Sequence, residues 1–224
     1  MSYKLIIDTH EKGVSRHPEI LTIPYEVLQI TVGDYAMLDP RGQICAIFER
    51  KTYEDYGASL KDGRHGNREK MLELRRETGC RVIYIVEGCE FPRPNDCFSN
   101  IKYQNIESSM FHLMMRDNIM IWRTADTLDT AKFFVRFYES MCSMRAGGHV
   151  EFMGDPEHVD HATTEESVRD GVSKSTALLT AARPKTDIDI LRIMWAQWPS
   201  ITVDSADDYI ALTSIYDIIA GRVN

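Results

Sequence analysis

The hydrophobic pattern changes period repeatedly over the first 145 residues. Residues 3–8 (YKLIID) are an apolar run ending in Asp8, residues 25–30 (YEVLQI) alternate with period two, and residues 43–49 (QICAIFE) are again β-rich. Each reads as a strand. The turn tetrapeptide DPRG lies between Asp34 and Glu49, so residues 34–51 read as a hairpin. Helical spacing starts at Thr52 and resumes over residues 67–77 (NREKMLELRRE). Residues 81–88 (RVIYIVEG) are almost continuously apolar, the pattern of a strand buried on both faces. A helix near 103–117, a short strand over 119–122 and a helix near 126–144 complete the series. These elements predict an α/β fold with a central mixed sheet flanked by helices.

The pattern then fades. Residues 146–173 are rich in Gly, His and acids and poor in core residues, the composition of a flexible acidic linker. Helical patterning returns over 174–224, with apolar residues at 188, 190, 191, 194, 195 and 198. The expected organisation is therefore one α/β domain (1–145), a linker (146–173) and a small all-α domain (174–224). The first ten residues read as a strand rather than a leader, and apolar runs break within about eight residues, too soon to span a membrane. Five cysteines without a CxxC pair read as reduced intracellular thiols, and the expected location is intracellular, nuclear or cytoplasmic.

The net charge of −8 argues against a simple nucleic-acid binder, but its distribution softens that. Residues 146–224 hold 6 Lys/Arg and 13 Asp/Glu, which leaves residues 1–145 near balance. Residues 49–81 hold nine Lys/Arg against seven acids. Phosphate binding follows local basic residues more than the total.

The residues that could do chemistry sit at the strand ends. Side chains two apart on a strand share a face, so Glu49 and Lys51 point together and Arg50 points away. A hairpin over 34–51 brings Asp34 beside Glu49. Two carboxylates at a strand edge make a hard oxygen site for Mg²⁺ or Mn²⁺. A neighbouring lysine can orient a water or balance charge on a phosphate, and these are the parts that metal-assisted phosphodiester hydrolysis needs. Asp8 could add a third acid to the same edge.

The arrangement GDY…ERK-x-x-x-D resembles the signature of the XPF/Mus-type structure-specific endonucleases, within the PD-(D/E)xK, restriction-endonuclease-like superfamily. Residues 6–11 (IIDTHE) resemble that family's opening strand, residues 59–64 (SLKDGR) its Ser-Leu-x-x-Gly-Arg segment and residues 84–88 (YIVEG) its later core strand. The resemblance implies that Asp34 and Glu49 bind the metal, that Lys51 positions the attacking water, and that Asp8 lies close by. Glu11, Arg50 and Asp55 would support the site, Arg50 by holding local structure or contacting substrate. Asp55 also completes a capping box with Thr52, and both readings stand. Arg64, with Lys61 and Arg68, would contact DNA, although Arg64 suits a role pinning the turn between two helices nearly as well. His10 stands where the family usually has arginine, and Arg68 near a frequent glutamine.

Residues 190–219 resemble a helix-hairpin-helix module, with Ser200 in place of the hairpin glycine and Asp204, Asp207 and Asp208 nearby. The resemblance implies cleavage of branched DNA such as flaps, forks or four-way junctions, in repair or recombination, by a homodimer or a heterodimer with a related subunit. The alternatives are a non-catalytic DNA-binding scaffold subunit and a phosphodiesterase acting on another nucleotide. His149, His158 and His161 suggest no built metal site. Met110, Met114, Met115 and Met120 read as core or subunit interface.

Overall fold

The computed structural model describes residues 2–61, 66–89, 91–148 and 165–181. Strand β1 (Lys4–Asp8) runs through a one-turn helix α1 (Lys12–Ser15) and a 3-10 turn (Pro18–Thr22) to β2 (Tyr25–Leu28). Strands β3 (Tyr35–Leu38) and β4 (Ile44–Thr52) follow, then helices α2 (Tyr53–Lys61) and α3 (Gly66–Thr78) and strand β5 (Arg81–Glu87). A two-stranded ribbon of β6 (Cys97–Phe98) and β7 (Ile101–Lys102) precedes helix α4 (Tyr103–Asp117). Strand β8 (Met120–Thr124), helix α5 (Thr127–Ala146) and helix α6 (Glu165–Thr180) complete the described chain. The strands and helices expected over residues 1–145 are all present. The one-turn helix, the 3-10 turn and the ribbon are additions that no periodicity announced.

The main sheet has the order β2-β1-β3-β4-β5-β8. β1 pairs antiparallel with β3, and β3 with β4 across the DPRG turn, whereas β1–β2, β4–β5 and β5–β8 are parallel. The sheet is mixed, as expected, and helices cover both faces. β4 lies in its interior, which is why its first six residues are buried without alternation.

One face carries Ile6, Ala36, Ile47, Tyr84 and Val86 against Tyr56, Met71, Leu74, Ile106 and Leu113 of α2, α3 and α4. The other carries Ile7, Tyr35, Phe48, Ile83 and Ile85 against Val14, Ile20 and the phenylalanines of α5. Phe48 meets Phe134 and Phe137 edge-on, at ring-centroid distances of 5.2 and 5.4 Å. Such pairs add roughly 0.5–1.5 kcal/mol each beyond burial. Helix α5 starts where Asp126 accepts a hydrogen bond from the backbone N–H of Asp129. Helix α4 stops at Asn118, whose φ of 49° is left-handed.

Helix α6 begins inside the segment read as a linker and crosses the boundary expected at residue 173. Its polar first turns hid a seating face further along. Leu179 is fully buried, the Ser175 hydroxyl donates to the Gly42 carbonyl at 2.5 Å, and the Thr31 N–H donates to the Leu179 carbonyl at 2.8 Å. The helix therefore packs on the DPRG turn and on the connection between β2 and β3. The histidines at 149, 158 and 161, and the helix-hairpin-helix-like segment after residue 181, lie outside the described residues. Among the described residues, no helix is long and apolar enough to cross a membrane.

Candidate active site

Sheet register builds the site. Ile7 of β1 sits opposite Tyr35 of β3, and Tyr35 opposite Phe48 of β4. One step further, at the strand ends, Asp8, Asp34 and Glu49 fall into one row across three neighbouring strands. Backbone bonds close that row: the Asp8 N–H donates to the Asp34 carbonyl at 2.9 Å, and the Asp34 N–H to the Phe48 carbonyl at 2.8 Å. Gly33, just before Asp34, has a φ of +65°, and a Cβ there would meet the Phe48 carbonyl oxygen at 2.8 Å. The Gly-Asp pair thus combines a left-handed residue with a close backbone approach that only glycine permits.

Lys51 shares the face of Glu49. Its Nζ lies 3.7 Å from Glu49 Oε1 and donates to the Ser59 hydroxyl at 3.0 Å. Asp34 is partly exposed and Glu49 is buried. Asp34 Oδ2 accepts from the Arg50 backbone N–H at 2.7 Å. Glu49 Oε2 accepts from the Asn67 side-chain amide, whose own oxygen accepts from the Gly33 N–H at 3.2 Å. Each acid engages one oxygen in this way, and the second oxygen of Glu49 faces Lys51.

Asp8 is tied to its surroundings through both oxygens. Its Oδ1 accepts from the His10 backbone N–H at 2.8 Å and faces His10 Nδ1 at 2.6 Å, while Oδ2 accepts from the Ile30 N–H at 2.8 Å. It bears on the site as a nearby charge.

Arg50 turns to the opposite face. Its Nε and one terminal nitrogen grip both oxygens of Glu87 at 2.8 and 2.7 Å, and the other terminal nitrogen reaches Glu11 at 3.2 Å. Glu87 also accepts from the Thr130 hydroxyl, and Glu11 from the Tyr35 hydroxyl at 2.5 Å. Glu11 and Arg50 therefore form a buried clamp tying β1, β4, β5 and α5 together behind the site. These contacts make Arg50 a holder of local structure in the described fold. Asp55 makes the capping contact with Thr52: its N–H donates to the Thr52 hydroxyl at 3.1 Å, and that hydroxyl donates to the Asp55 carboxylate at 2.7 Å.

Of the expected DNA contacts, Lys61 is exposed at the end of α2. Arg68 is paired 3.5 Å from Asp117, so its charge is already matched. Arg64 lies outside the described residues. Sequence reasoning missed Asn67, Glu87 and Tyr35. Tyr35 closes the Gly-Asp-Tyr motif and Glu87 is an acid ending an otherwise apolar strand, but neither pattern announced a partner for Arg50 or Glu11.

The electrostatics follow from crowding acids in a buried place. Burial, then the charges of Glu11 and Asp8, push the Asp34 carboxyl up to about 6, against the Arg50 N–H and Lys51, which pull it down. Burial and the Asp34 charge push Glu49 up to about 8, with Lys51 opposing. The ionised pair therefore costs the metal-free fold energy. Among the described residues, no three His, Cys, Asp or Glu side chains converge. A pair of carboxylates is nevertheless the donor set Mg²⁺ takes, since it keeps several waters and shares a phosphate, so the residues fit the ion.

A prediction follows from the sign of these shifts. Between the ordinary carboxylate range near 4 and about 8, the folded chain holds more protons at this site than the unfolded chain, so its contribution to stability falls as pH rises. A cation that binds the ionised pair should restore what is lost. Mg²⁺ or Mn²⁺ is expected to raise the melting temperature by more at pH 8 than at pH 6, as read by thermal denaturation. A metal-induced shift that is equal at both values would break the assignment.

A mixed α/β sheet flanked by helices thus delivers two carboxylates and a lysine to one face at its strand ends. The model of the ERCC4 domain matches residues 7–137, and the chain belongs to that family, the XPF/Mus nuclease family. It is 41% identical over 116 residues to the ERCC4 domain-containing protein EP364R of African swine fever virus (isolate Pig/Kenya/KEN-50/1950), a match covering 52% of this chain and 32% of that one. It is 36% identical over 129 residues to EP364R of isolate Warthog/Namibia/Wart80/1980, covering 58% and 34%. The chain thus spans about a third of the length of these relatives. XPF from Aeropyrum pernix, in a complex with DNA, aligns over 93% of this chain and 80% of its own at 18% identity and a TM-score of 0.47.

Proposed function

We propose that the chain is a divalent-metal-dependent, structure-specific DNA endonuclease that hydrolyses phosphodiester bonds in branched DNA. One observation carries this reading: Asp34, Glu49 and Lys51 meet on one sheet face, with both acids raised by burial and crowding. Asp34 and Glu49 would hold Mg²⁺ or Mn²⁺, which when bound polarises a phosphoryl oxygen and acidifies water. The chain does the positioning. The Arg50 N–H fixes Asp34, the Asn67 amide fixes Glu49, and Lys51, braced by Ser59, orients the attacking water and balances charge growing on the phosphate. Membership of the ERCC4 domain family supports the nuclease chemistry and the preference for branched substrates.

The test is incubation of the full chain with flap, fork and four-way-junction DNA and with linear duplex, each with Mg²⁺ and with a chelator. Metal-dependent cutting near the branch is expected, and no cutting of any branched substrate overturns the proposal. The reading as a non-catalytic scaffold subunit draws support from the burial of Glu49 beneath Asn67. It predicts branch binding without cutting.

Pairing of two nuclease domains belongs to the same proposal. Phe111, Met114 and Met115 of α4 and Met120 and Trp122 of the edge strand β8 are all exposed, and large apolar side chains left exposed on α4 suit a subunit contact. Replacing Phe111 and Met115 together by Glu is expected to weaken self-association by roughly 30-fold or more, as measured by sedimentation. An unchanged sedimentation profile would refute this surface as the contact.

A further inference from the structure

A second feature on the site's own face has no part in metal binding. Register across β4, β5 and β8 sets Lys51 beside Val86 and Val86 beside Arg123. Neighbours across a sheet point to the same side, so Arg123 lies on the face of Glu49 and Lys51. Two strand spacings separate it from Lys51, about 10 Å. Its guanidinium carbon sits 4.2 Å from the ring centroid of Phe91 and 5.5 Å from that of Tyr53.

The two rings differ in kind. Tyr53, two residues beyond Lys51, is buried against Phe98 and Tyr103 at centroid distances of 5.1 and 5.6 Å. Phe91 follows the end of β5 and is 86% exposed. The loop that carries it is anchored at its root. The Gly88 N–H donates to the Thr124 carbonyl at 2.8 Å, and a Cβ on Gly88 would strike the Tyr53 ring at 2.5 Å. A phenyl ring is thereby held out in water, backed by a cation that is itself backed by a buried ring. Leaving such a ring exposed forgoes the burial that ordinarily rewards it.

We infer that Phe91 and Arg123 form a stacking platform for one unpaired nucleobase, next to the phosphodiester bound at Asp34, Glu49 and Lys51. The inference rests on the nuclease reading and deepens it, because it names the single-stranded part of the substrate. A base inside a duplex has both faces covered by its neighbours, so only an unstacked base can lie on a phenyl ring. The guanidinium holds the ring through cation–π attraction and adds positive charge for the adjoining phosphate. Stacking of this kind tolerates any base, in keeping with recognition of DNA shape rather than sequence.

Binding is measured with the full chain in chelator, so that no cutting intervenes. The probes are one duplex with and without a single-stranded arm. Phe91→Ala is expected to weaken binding to the armed duplex roughly 5- to 100-fold and to leave the blunt duplex unchanged. Phe91→Trp is expected to restore armed-duplex binding, with quenching of the added indole fluorescence when the arm binds. Equal losses on both probes, no loss on either, or no rescue by Trp would overturn the platform. Because the side chain is exposed, the melting temperature of Phe91→Ala should match that of the parent. Cutting with Mg²⁺ is scored separately. Metal-dependent cutting without a Phe91 effect sinks the platform alone, and a Phe91 effect without cutting sinks the catalytic reading alone.

Discussion

Asp34→Asn is expected to abolish metal-dependent cleavage, by at least about 1,000-fold, or some 4 kcal/mol of barrier. The substitution is almost isosteric, and the amide oxygen can still accept the Arg50 N–H that now reaches Oδ2. What it removes is one of two negative charges available to a cation. The same change should strengthen the metal-free fold at pH 8. Burial disfavours the ionised Asp34, and that charge in turn pushes Glu49 up. The variant should therefore melt higher than the parent in chelator at pH 8 while cutting nothing, a trade between stability and activity seen where sites crowd like charges. Lys51→Ala should lose cleavage comparably and do the reverse to stability, since it strips Glu49 of its nearest opposing charge. Parallel cleavage assays and melting curves on purified variants check all of this. An Asp34→Asn chain that still cuts would end the assignment.

The second large effect belongs to Arg50, and it concerns folding rather than chemistry. Its guanidinium is the common partner of Glu87 and Glu11, both largely buried. Arg50→Ala would leave two carboxylates unmatched between β5, α1 and α5. Breaking a buried pair in this way costs about 3–5 kcal/mol, which denaturant unfolding would read directly. Arg50→Lys should recover only part of that, because an ammonium cannot grip both Glu87 oxygens as the planar fork does. Binding to the armed duplex should survive in whatever fraction of the protein remains folded. A loss of armed-duplex binding with undiminished stability would instead make Arg50 a substrate contact.

The site was readable from the chain where local geometry decides it. The two-residue period of β4 separates Glu49 and Lys51 from Arg50, and the DPRG turn returns Asp34 to Glu49, so the meeting of Asp34, Glu49 and Lys51 follows from local spacing. Partners supplied by distant elements left no comparable trace. Asn67 reaches Glu49 from the start of α3, and Glu87 meets Arg50 across a parallel register that no local pattern specifies. Asp8 was expected near the site and lies there. That both its oxygens are occupied depends on Ile30 and His10, whose approach is a matter of tertiary structure. Helix α6 was obscured for another reason: its sequence is polar on most faces, and its few apolar anchors became legible only against the turn they cover.

The seating of α6 also fixes a point of departure. The Ala181 carbonyl accepts from the Thr31 hydroxyl at 2.7 Å, and Thr31 is three residues from Asp34, at most about 11 Å along the backbone. The described end of α6 is therefore held close to Asp34 and Glu49. A binding module attached at that point would meet a ligand held at the site at high effective concentration, gaining grip through geometry without any added contact.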